Sequence, residues 1–156
     1  MFGTAVEFYA NNANDVGDYK IGEKLYKSNP GETKALRYMY NPNLDGRSPN
    51  CWYSGIGSLD VHYSSGPANR FFFLLSEGST TALWGTQPDL CAGNVGPVTG
   101  SAGPPPRRSG TGRAITAYMT SSTNYAGARA ATLSAAKDLG ADTAQVAAAW
   151  SAVGVS

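Results

Sequence analysis

Residues 59–75 read LDVHYSSGPANRFFFLL, a polar break followed by an aromatic run. Ser64 or Ser65 can cap a helix that carries Pro67 in its first turn. Proline costs nothing there, because the first N–H groups of a helix have no intrahelical partner. The apolar run then predicts a buried helix that ends near Gly78. The apolar residues in the middle of the chain therefore indicate a helix and not a strand.

Two further helices are marked towards the C-terminal end. The first spans residues 121–140, from a Thr or Asn cap to a glycine. The second spans residues 141–154; it opens with the capping box Asp142 and Gln145 and closes at Gly154. The first helix carries Tyr125, Ala128, Thr132, Ala135 and Leu139 on one face. The predicted buried stripe of the second is Val146, Trp150 and Val153.

The N-terminal stretch FGTAVEFYANN, residues 2–12, also carries apolar side chains at helical spacing and stops at an Asn pair. The segments between the helices are rich in turn-forming residues, which predicts long loops. We therefore expect a mainly α fold, in which residues 1–156 form a single domain.

Composition narrows the class of protein. The chain has 156 residues, of which 42% are hydrophobic and 15% charged, values typical of a folded globular domain. The net charge is +1 and Lys and Arg form no stripe, so we expect no nucleic-acid partner. No apolar run approaches the ~20 residues that span a bilayer, so we expect a soluble chain with no membrane partner.

Cys51 and Cys91 are the only cysteines. With one histidine and no C-x-x-C spacing, they do not make a closed zinc site without carboxylates. Two readings stay open at this point: a single disulfide across a ~40-residue loop, or two buried free thiols.

Asp60 and His62 are the chemically suggestive pair. Their spacing places both side chains on the same side of an extended segment. A carboxylate that accepts from one imidazole nitrogen fixes the tautomer and favours the protonated ring. The other nitrogen of that protonated ring is then free to donate to an oxyanion. A purely structural Asp–His pair is the alternative.

Several stretches together resemble one family. They are FGTAVEFYANN, ALRYM at 35–39, LDVHYSSGPANRFFFLL, MTSSTNYAGARAATLSAAKDLG at 119–140 and TAQVAAAWSAVGV at 143–155. Their order and spacing are similar to the C-terminal half of the thermolysin-like neutral zinc metalloproteases. The resemblance implies the orthogonal helix bundle of that domain and a secreted endopeptidase that acts on proteins or peptides.

The resemblance also implies roles for four residues. His62 matches the active-site histidine that hydrogen-bonds the tetrahedral intermediate, and Asp60 the carboxylate that orients it. Arg37 matches the arginine that donates to a substrate carbonyl; without the family, a surface arginine over a short helix is the simpler interpretation. Leu36 would line the pocket for a bulky apolar residue after the scissile bond.

A calcium site is implied by the same resemblance. Glu7, Asp18, Glu23 and the backbone carbonyl of Lys20 match the family's calcium region, and calcium prefers such oxygen ligands. Taken alone, these residues read as a solvated acidic loop. Lys20 stands where members with two calcium ions carry an acid, so we expect one calcium.

The family's zinc motif, H-E-x-x-H, is not in this chain, which has one histidine. The resemblance places the zinc ligands ahead of Met1, in an N-terminal half. We therefore expect zinc as the cofactor of the whole enzyme, no zinc ligand here, and no activity of this chain alone. A secreted chain would also favour the Cys51–Cys91 disulfide.

Residues 99–112, TGSAGPPPRRSGTG, depart from the family pattern. Three consecutive prolines favour an extended, solvated conformation where relatives have a helix. We interpret the stretch as locally out of frame and expect disorder across residues 100–112.

Two other interpretations remain. The first is a noncatalytic helical module, derived from such a protease, that binds a peptide or calcium. The second is a truncated gene product with no role of its own. In each case we expect a monomer.

Overall fold

The computed structural model describes residues 1–81, 85–86, 90–91, 97–100 and 110–156. It divides into two compact units, Met1–Phe73 and Leu74–Ser156. Helices dominate both units, which confirms the predicted mainly α class. None of the described helices is long and apolar enough to cross a membrane.

The first unit contains short elements joined by loops. Its α-helices are α1 (Phe2–Ala10) and α2 (Val61–Ser64), and it holds the start of α3 (Gly66–Glu77). Two short strands, β1 (Lys20–Ile21) and β2 (Arg37–Tyr38), form an antiparallel pair. Turns of 3-10 helix occur at Glu23–Leu25, Pro30–Glu32, Pro42–Asp45 and Ile56–Ser58.

Helix α1 forms as predicted and ends at Asn11, whose left-handed conformation (φ 47°) lets its N–H donate to the carbonyl of Glu7. The apolar stripe of this helix is not buried. Phe2, Val6 and Tyr9 are 68%, 63% and 83% exposed, and the buried side chain of the helix is Thr4. Helical spacing therefore identified the element, while the stripe itself faces outward.

The strand pair places Arg37 opposite Ile21 and Tyr38 opposite Lys20. The connection between the strands is closed by Asn29. Its Nδ2 donates to the carbonyls of Glu23 (3.0 Å) and Lys34 (2.7 Å), and its Oδ1 accepts from the Lys34 N–H (2.9 Å). The Asn29 side chain thus pairs main-chain groups of this loop that have no partner in a strand.

An aromatic cluster forms the core of the first unit. Tyr19 and Phe73 are almost fully buried and meet edge to face, with ring centroids 4.8 Å apart. The Phe8 ring lies 5.5 Å from that of Tyr19, and the Tyr40 ring lies 6.1 Å from that of Phe73. Such tilted contacts are the arrangement that ring quadrupoles favour.

Helix α3 begins at Gly66 and carries Pro67 in its first turn, as predicted. Gly66 is required by a close backbone approach. A Cβ at this position would lie 2.2 Å from the carbonyl oxygen of Pro49, so any side chain would force the backbone apart. This glycine therefore fixes where α2 and α3 join.

The second unit contains the end of α3, the strand pair β3 (Thr80–Thr81) and β4 (Gly85–Thr86), and the helices α4 (Thr111–Ala117), α5 (Tyr125–Asp138) and α6 (Thr143–Ala152). The predicted caps of the last two helices are present. Asn124 accepts from the Gly127 N–H at 2.9 Å, and Asp142 accepts from Ala144 at 2.8 Å. The Gln145 half of the capping box is wrong, because its Oε1 accepts from the N–H of Thr99 at 3.0 Å.

Trp150 on α6 anchors the core of this unit. It is 2% exposed, and its Nε1 donates to Thr132 Oγ1 of α5 at 2.7 Å. Of the predicted stripe of α6, Val146 and Val153 are also buried. On the predicted face of the preceding helix, Thr132 and Ala135 are buried, whereas Leu139 is 44% exposed because α5 ends one residue earlier, at Asp138.

Residues 101–109, most of the predicted disordered stretch, lie outside the described residues. At its C-terminal edge, Gly110 is in the left-handed region (φ 68°) and α4 starts at Thr111, so the predicted disorder was wrong for residues 111–112. No cysteine among the described residues is free. The pairing of Cys51 with Cys91 stays a prediction.

Candidate functional site

Asp60 and His62 are held together by a helix start and not by an extended segment, so that part of the prediction was wrong. Asp60 is the N-cap of α2, and its Oδ1 accepts from the main-chain N–H of His62 at 2.8 Å. The same oxygen lies 2.6 Å from His62 Nδ1. The cap turns the chain so that the ring of the second helical residue reaches the capping carboxylate.

Hydrogen bonds from the His62 N–H, and then from its ring, hold the pKa of Asp60 below its ordinary value. The carboxylate is therefore ionised at neutral pH and can only accept, so the ring hydrogen that faces it sits on Nδ1. The side chain of His62 is 72% exposed. In the described part of the chain, no hydrogen-bond partner faces Nε2.

Arg37 lies on β2 with its side chain only 20% exposed. Its Nη1 donates to the carbonyl of Leu36 at 2.6 Å and lies 3.8 Å from Asp45 Oδ2. The positive charge of Arg37 also contributes to the lowered pKa of Asp60, after the two bonds from His62. The structure therefore brings Arg37, Asp60 and His62 into one electrostatic environment.

Asp45 is a residue that the sequence analysis missed. Burial alone would raise its pKa, but bonds from the Ser48 hydroxyl and from the main-chain N–H groups of Ser48 and Arg47 lower it. These bonds are 2.5, 2.7 and 2.8 Å long. The carboxylate is thereby held ionised beside Arg37.

Tyr63 and Arg47 were missed as well. The Arg37 Cζ lies 5.5 Å from the centroid of the Tyr63 ring, and the Arg47 Cζ lies 5.3 Å from it. Arg47 Nη1 also donates to the Tyr63 hydroxyl at 2.8 Å. The turn residues in NLDGRS could have indicated the turn at Asp45, since an Asp side chain often accepts from an N–H two or three residues later. They give no indication of Tyr63.

Leu36 is next to Arg37 and is 47% exposed. Its main-chain N–H donates to the carbonyl of Ile21 at 2.8 Å, which fixes the backbone while the side chain stays accessible. An accessible leucine beside an arginine can contact an apolar ligand side chain.

The predicted calcium residues include two carboxylates with unsatisfied oxygens. Glu7 Oε2 and Glu23 Oε2 are buried without a hydrogen-bond partner. Burial, together with the negative charges of Glu23, Asp18 and Asp15, raises the pKa of Glu7 to about 7. Burial is also the main cause of the raised pKa of Glu23. The unpartnered buried oxygens and the raised pKa values both fit carboxylates that a bound cation would stabilise in their ionised form.

Asp18 and Lys20 fit less well. Asp18 Oδ1 accepts from the Lys20 N–H at 2.6 Å, and its Oδ2 lies 2.9 Å from the Lys20 ammonium. Across the described ranges, no group of three or more His, Cys, Asp or Glu side chains could hold a metal ion. With a single histidine, the chain's residues do not fit the H-E-x-x-H zinc site either.

The sequence matches the family described as thermolysin metallopeptidase, alpha-helical domain, over residues 1–155. The chain belongs to this family. It is the C-terminal domain of a thermolysin-like metalloprotease, as the resemblance in its sequence predicted.

This thermolysin-like domain is similar to several bacterial proteins. It is 48% identical over 160 residues to the transglutaminase-activating metalloprotease of Streptomyces mobaraensis, with 99% of the domain covered. It is 37% identical over 164 residues to bacillolysin of Bacillus cereus, with 100% covered. It is 35% identical over 167 residues to thermolysin of Alicyclobacillus acidocaldarius subsp. acidocaldarius, with 99% covered. The chain spans 21%, 26% and 27% of the length of these three relatives.

Proposed function

We propose that this domain forms one wall of the peptide-binding active site of a secreted zinc metalloendopeptidase. In this role it supplies hydrogen-bond donors for the substrate and does not supply the metal. The observation that carries the proposal is the Asp60–His62 pair, an ionised carboxylate bound to an exposed ring. The names of the relatives support the same class of activity.

His62 is the proposed catalytic residue. Attack on a peptide carbonyl places negative charge on its oxygen, and a preoriented donor stabilises that charge more than it stabilises the substrate. Asp60 holds Nδ1, so a protonated ring can direct its Nε2–H towards the oxyanion. The bond from the main chain fixes Asp60 in turn, which keeps the ring oriented before substrate arrives.

Arg37 is the proposed substrate-binding residue. Its contacts with Leu36 and Asp45 use Nη1. The other edge of the guanidinium, formed by Nε and Nη2, has no partner among the described residues. That edge has the planar donor geometry that suits a carbonyl. Leu36 beside it supports a preference for a bulky apolar residue after the scissile bond.

The proposed partner is the zinc-binding N-terminal part that such a protease requires. The chain spans only about a fifth to a quarter of its relatives, and α1 exposes the apolar stripe of Phe2, Val6 and Tyr9. An exposed stripe of this kind typically marks a protein interface. The domain alone would then be inactive, because its single histidine cannot supply the H-E-x-x-H zinc ligands.

We also propose one calcium ion, with Glu7, Glu23, Asp18 and the Lys20 carbonyl as its ligands. Because the three carboxylates do not form a metal-holding group as the described residues stand, binding would have to draw them closer together. Calcium would supply positive charge to the unsatisfied oxygens of Glu7 and Glu23. The ammonium of Lys20 already lies 2.9 Å from Asp18, which supports one ion in this region and not two.

The decisive experiment joins the domain to a zinc-binding half. The chain replaces the matching segment of the Streptomyces mobaraensis protease, and casein cleavage is measured with zinc and calcium. We expect chelator-sensitive cleavage by the chimera and none by the chain alone. His62→Ala should lower kcat about 10²- to 10³-fold with little change in KM.

Val61→Ala is the matched control, since Val61 neighbours His62 in α2 and is 75% exposed. It should leave kcat unchanged. A folded chimera that does not cleave casein would favour a noncatalytic peptide- or calcium-binding module. Cleavage by the isolated chain would contradict the predicted dependence on a partner.

A further inference from the structure

We propose that Tyr63 is a positioning residue that holds the guanidinium of Arg37 in place for a substrate carbonyl. The inference rests on the role proposed above for Arg37 and extends it to residues that neither the sequence nor the comparisons assign. Four side chains carry it: Arg37, Asp45, Arg47 and Tyr63.

The ring of Tyr63 is the platform for Arg37. Tyr63 is half-buried in α2, directly after His62, and the Arg37 Cζ lies over its ring at 5.5 Å. A cation over an aromatic face is attracted by the ring quadrupole and needs no N–H donor for that contact. Nε and Nη2 of Arg37 thus stay available to a ligand while the group is held.

The platform is itself fixed by Arg47. Its Nη1 donates to the Tyr63 hydroxyl at 2.8 Å, and its Cζ lies 5.3 Å from the ring centroid. The main-chain N–H of Arg47 is bound by Asp45 Oδ1 at 2.8 Å. The Tyr63 side chain therefore cannot swing about χ1 without breaking its bond to Arg47, whose main-chain N–H is bound in the turn at Asp45.

Asp45 completes a ring of contacts. Its Oδ2 lies 3.8 Å from Arg37 Nη1, so the same carboxylate restrains Arg37 by charge and Arg47 through its backbone. The contacts run from Arg37 to Tyr63, to Arg47, to Asp45 and back to Arg37. Two sides of the Arg37 guanidinium are thereby restrained, by an aromatic face and by a carboxylate.

The benefit for binding is preorganisation. A free arginine side chain loses much rotamer entropy when a ligand immobilises it. An arginine that is already held loses less, so its hydrogen bonds contribute more to affinity. Because Tyr63 follows His62 in α2, the helix that orients the proposed oxyanion donor also positions the proposed carbonyl donor.

The test compares Tyr63→Leu, which removes the ring, with Tyr63→Phe, which keeps the ring and removes the hydroxyl. In the 156-residue chain, the Nε–Hε signal of Arg37 is followed by NMR. Tyr63→Leu should move this signal and lower its heteronuclear NOE, whereas Tyr63→Phe should largely preserve both. An Arg37 signal and NOE that are unchanged in Tyr63→Leu would overturn the proposal.

A second readout separates positioning from general stability. In the chimeric protease, Tyr63→Leu should lower kcat/KM about two- to fivefold, the range of a partly exposed cation–π contact. The same substitution should have no further effect in an Arg37→Ala background. An equal loss in both backgrounds would overturn the positioning role. If Arg37→Ala alone leaves kcat/KM unchanged, the proposed function of Arg37 fails instead, and the NMR result still decides the contact.

Discussion

Asp60 Oδ1 lies 2.8 Å from the main-chain nitrogen of His62 and 2.6 Å from its ring nitrogen Nδ1. One carboxylate oxygen therefore serves both as the cap of α2 and as the anchor of the imidazole. Capping and ring orientation can be separated by substitution, because asparagine caps helices about as well as aspartate but carries no charge.

Asp60→Asn and Asp60→Ala should thus differ in stability and agree in activity. Asp60→Asn should keep the melting temperature of the chain, whereas Asp60→Ala should lower it, since only alanine loses the cap. Both should reduce kcat/KM of the chimeric protease about 10- to 100-fold, the usual cost of losing a group that orients a functional histidine. Full activity in Asp60→Asn would show that the carboxylate only caps.

Glu7 predicts a pH-dependent stability. Burial and neighbouring carboxylates raise its pKa from 4.5 to about 7 in the folded chain. Between these two pH values the folded state binds more protons than the unfolded state, so the free energy of unfolding falls as pH rises. Melting curves in a chelating buffer should show this fall from about pH 4.5 to 7. Glu7→Gln should reduce it.

Added calcium should reverse the same trend. A bound cation favours the ionised carboxylate, so calcium should raise the melting temperature more above pH 7 than at pH 5, values that bracket the raised pKa of Glu7. The matched control is Glu77→Gln, the same exchange in the second unit. It should keep the calcium response, and Glu7→Gln should lose it. A calcium response that survives in Glu7→Gln would exclude Glu7 as a ligand.

The predicted Cys51–Cys91 disulfide should be visible in the intact mass. The untreated chain should weigh two hydrogens less than the reduced chain. Reduction should lower the free energy of unfolding by about 3–4 kcal/mol for a loop of ~40 residues. The Cys51→Ser/Cys91→Ser double variant should show a melting temperature that reductant does not change. Two alkylatable thiols in the untreated chain would contradict the pairing.

Thr132→Val tests the buried bond from Trp150. Valine has nearly the shape of threonine but removes the acceptor that lies 2.7 Å from Trp150 Nε1. A buried donor that loses its acceptor costs about 1–3 kcal/mol. Denaturant unfolding should show this loss, and Thr132→Ser, which keeps the hydroxyl, should be the more stable variant. The reverse order would mean that the methyl group matters more than the hydrogen bond.

The helices could be predicted because their signals are local. Asn124 and Asp142 cap within three residues of the N–H groups that they bind, and Gly66 and Pro67 mark a helix start in sequence. The role of Gln145 was predicted wrongly because its partner, Thr99, is 46 residues away. The outward-facing stripe of α1 was not foreseeable either, since helical spacing does not say which face a fold buries.

In the candidate site, too, the sequence identified individual residues but not the contacts between distant segments. The family resemblance named His62, Asp60 and Arg37, but the cap geometry that joins the first two needed a structure. Tyr63 and Arg47 are 16 residues apart and meet only after folding. No periodicity or turn signal predicts an arginine and an aromatic ring from separate segments, so the restraint on Arg37 could not be derived from sequence.

Asn29, which closes the connection between β1 and β2, is followed by Pro30. Asparagine side chains usually age by deamidation, in which the next residue's main-chain nitrogen attacks the amide and ammonia leaves. Proline has no N–H with which to make that attack. The amide that closes this loop is consequently protected from spontaneous conversion to aspartate, which would prolong the working life of the secreted enzyme proposed above.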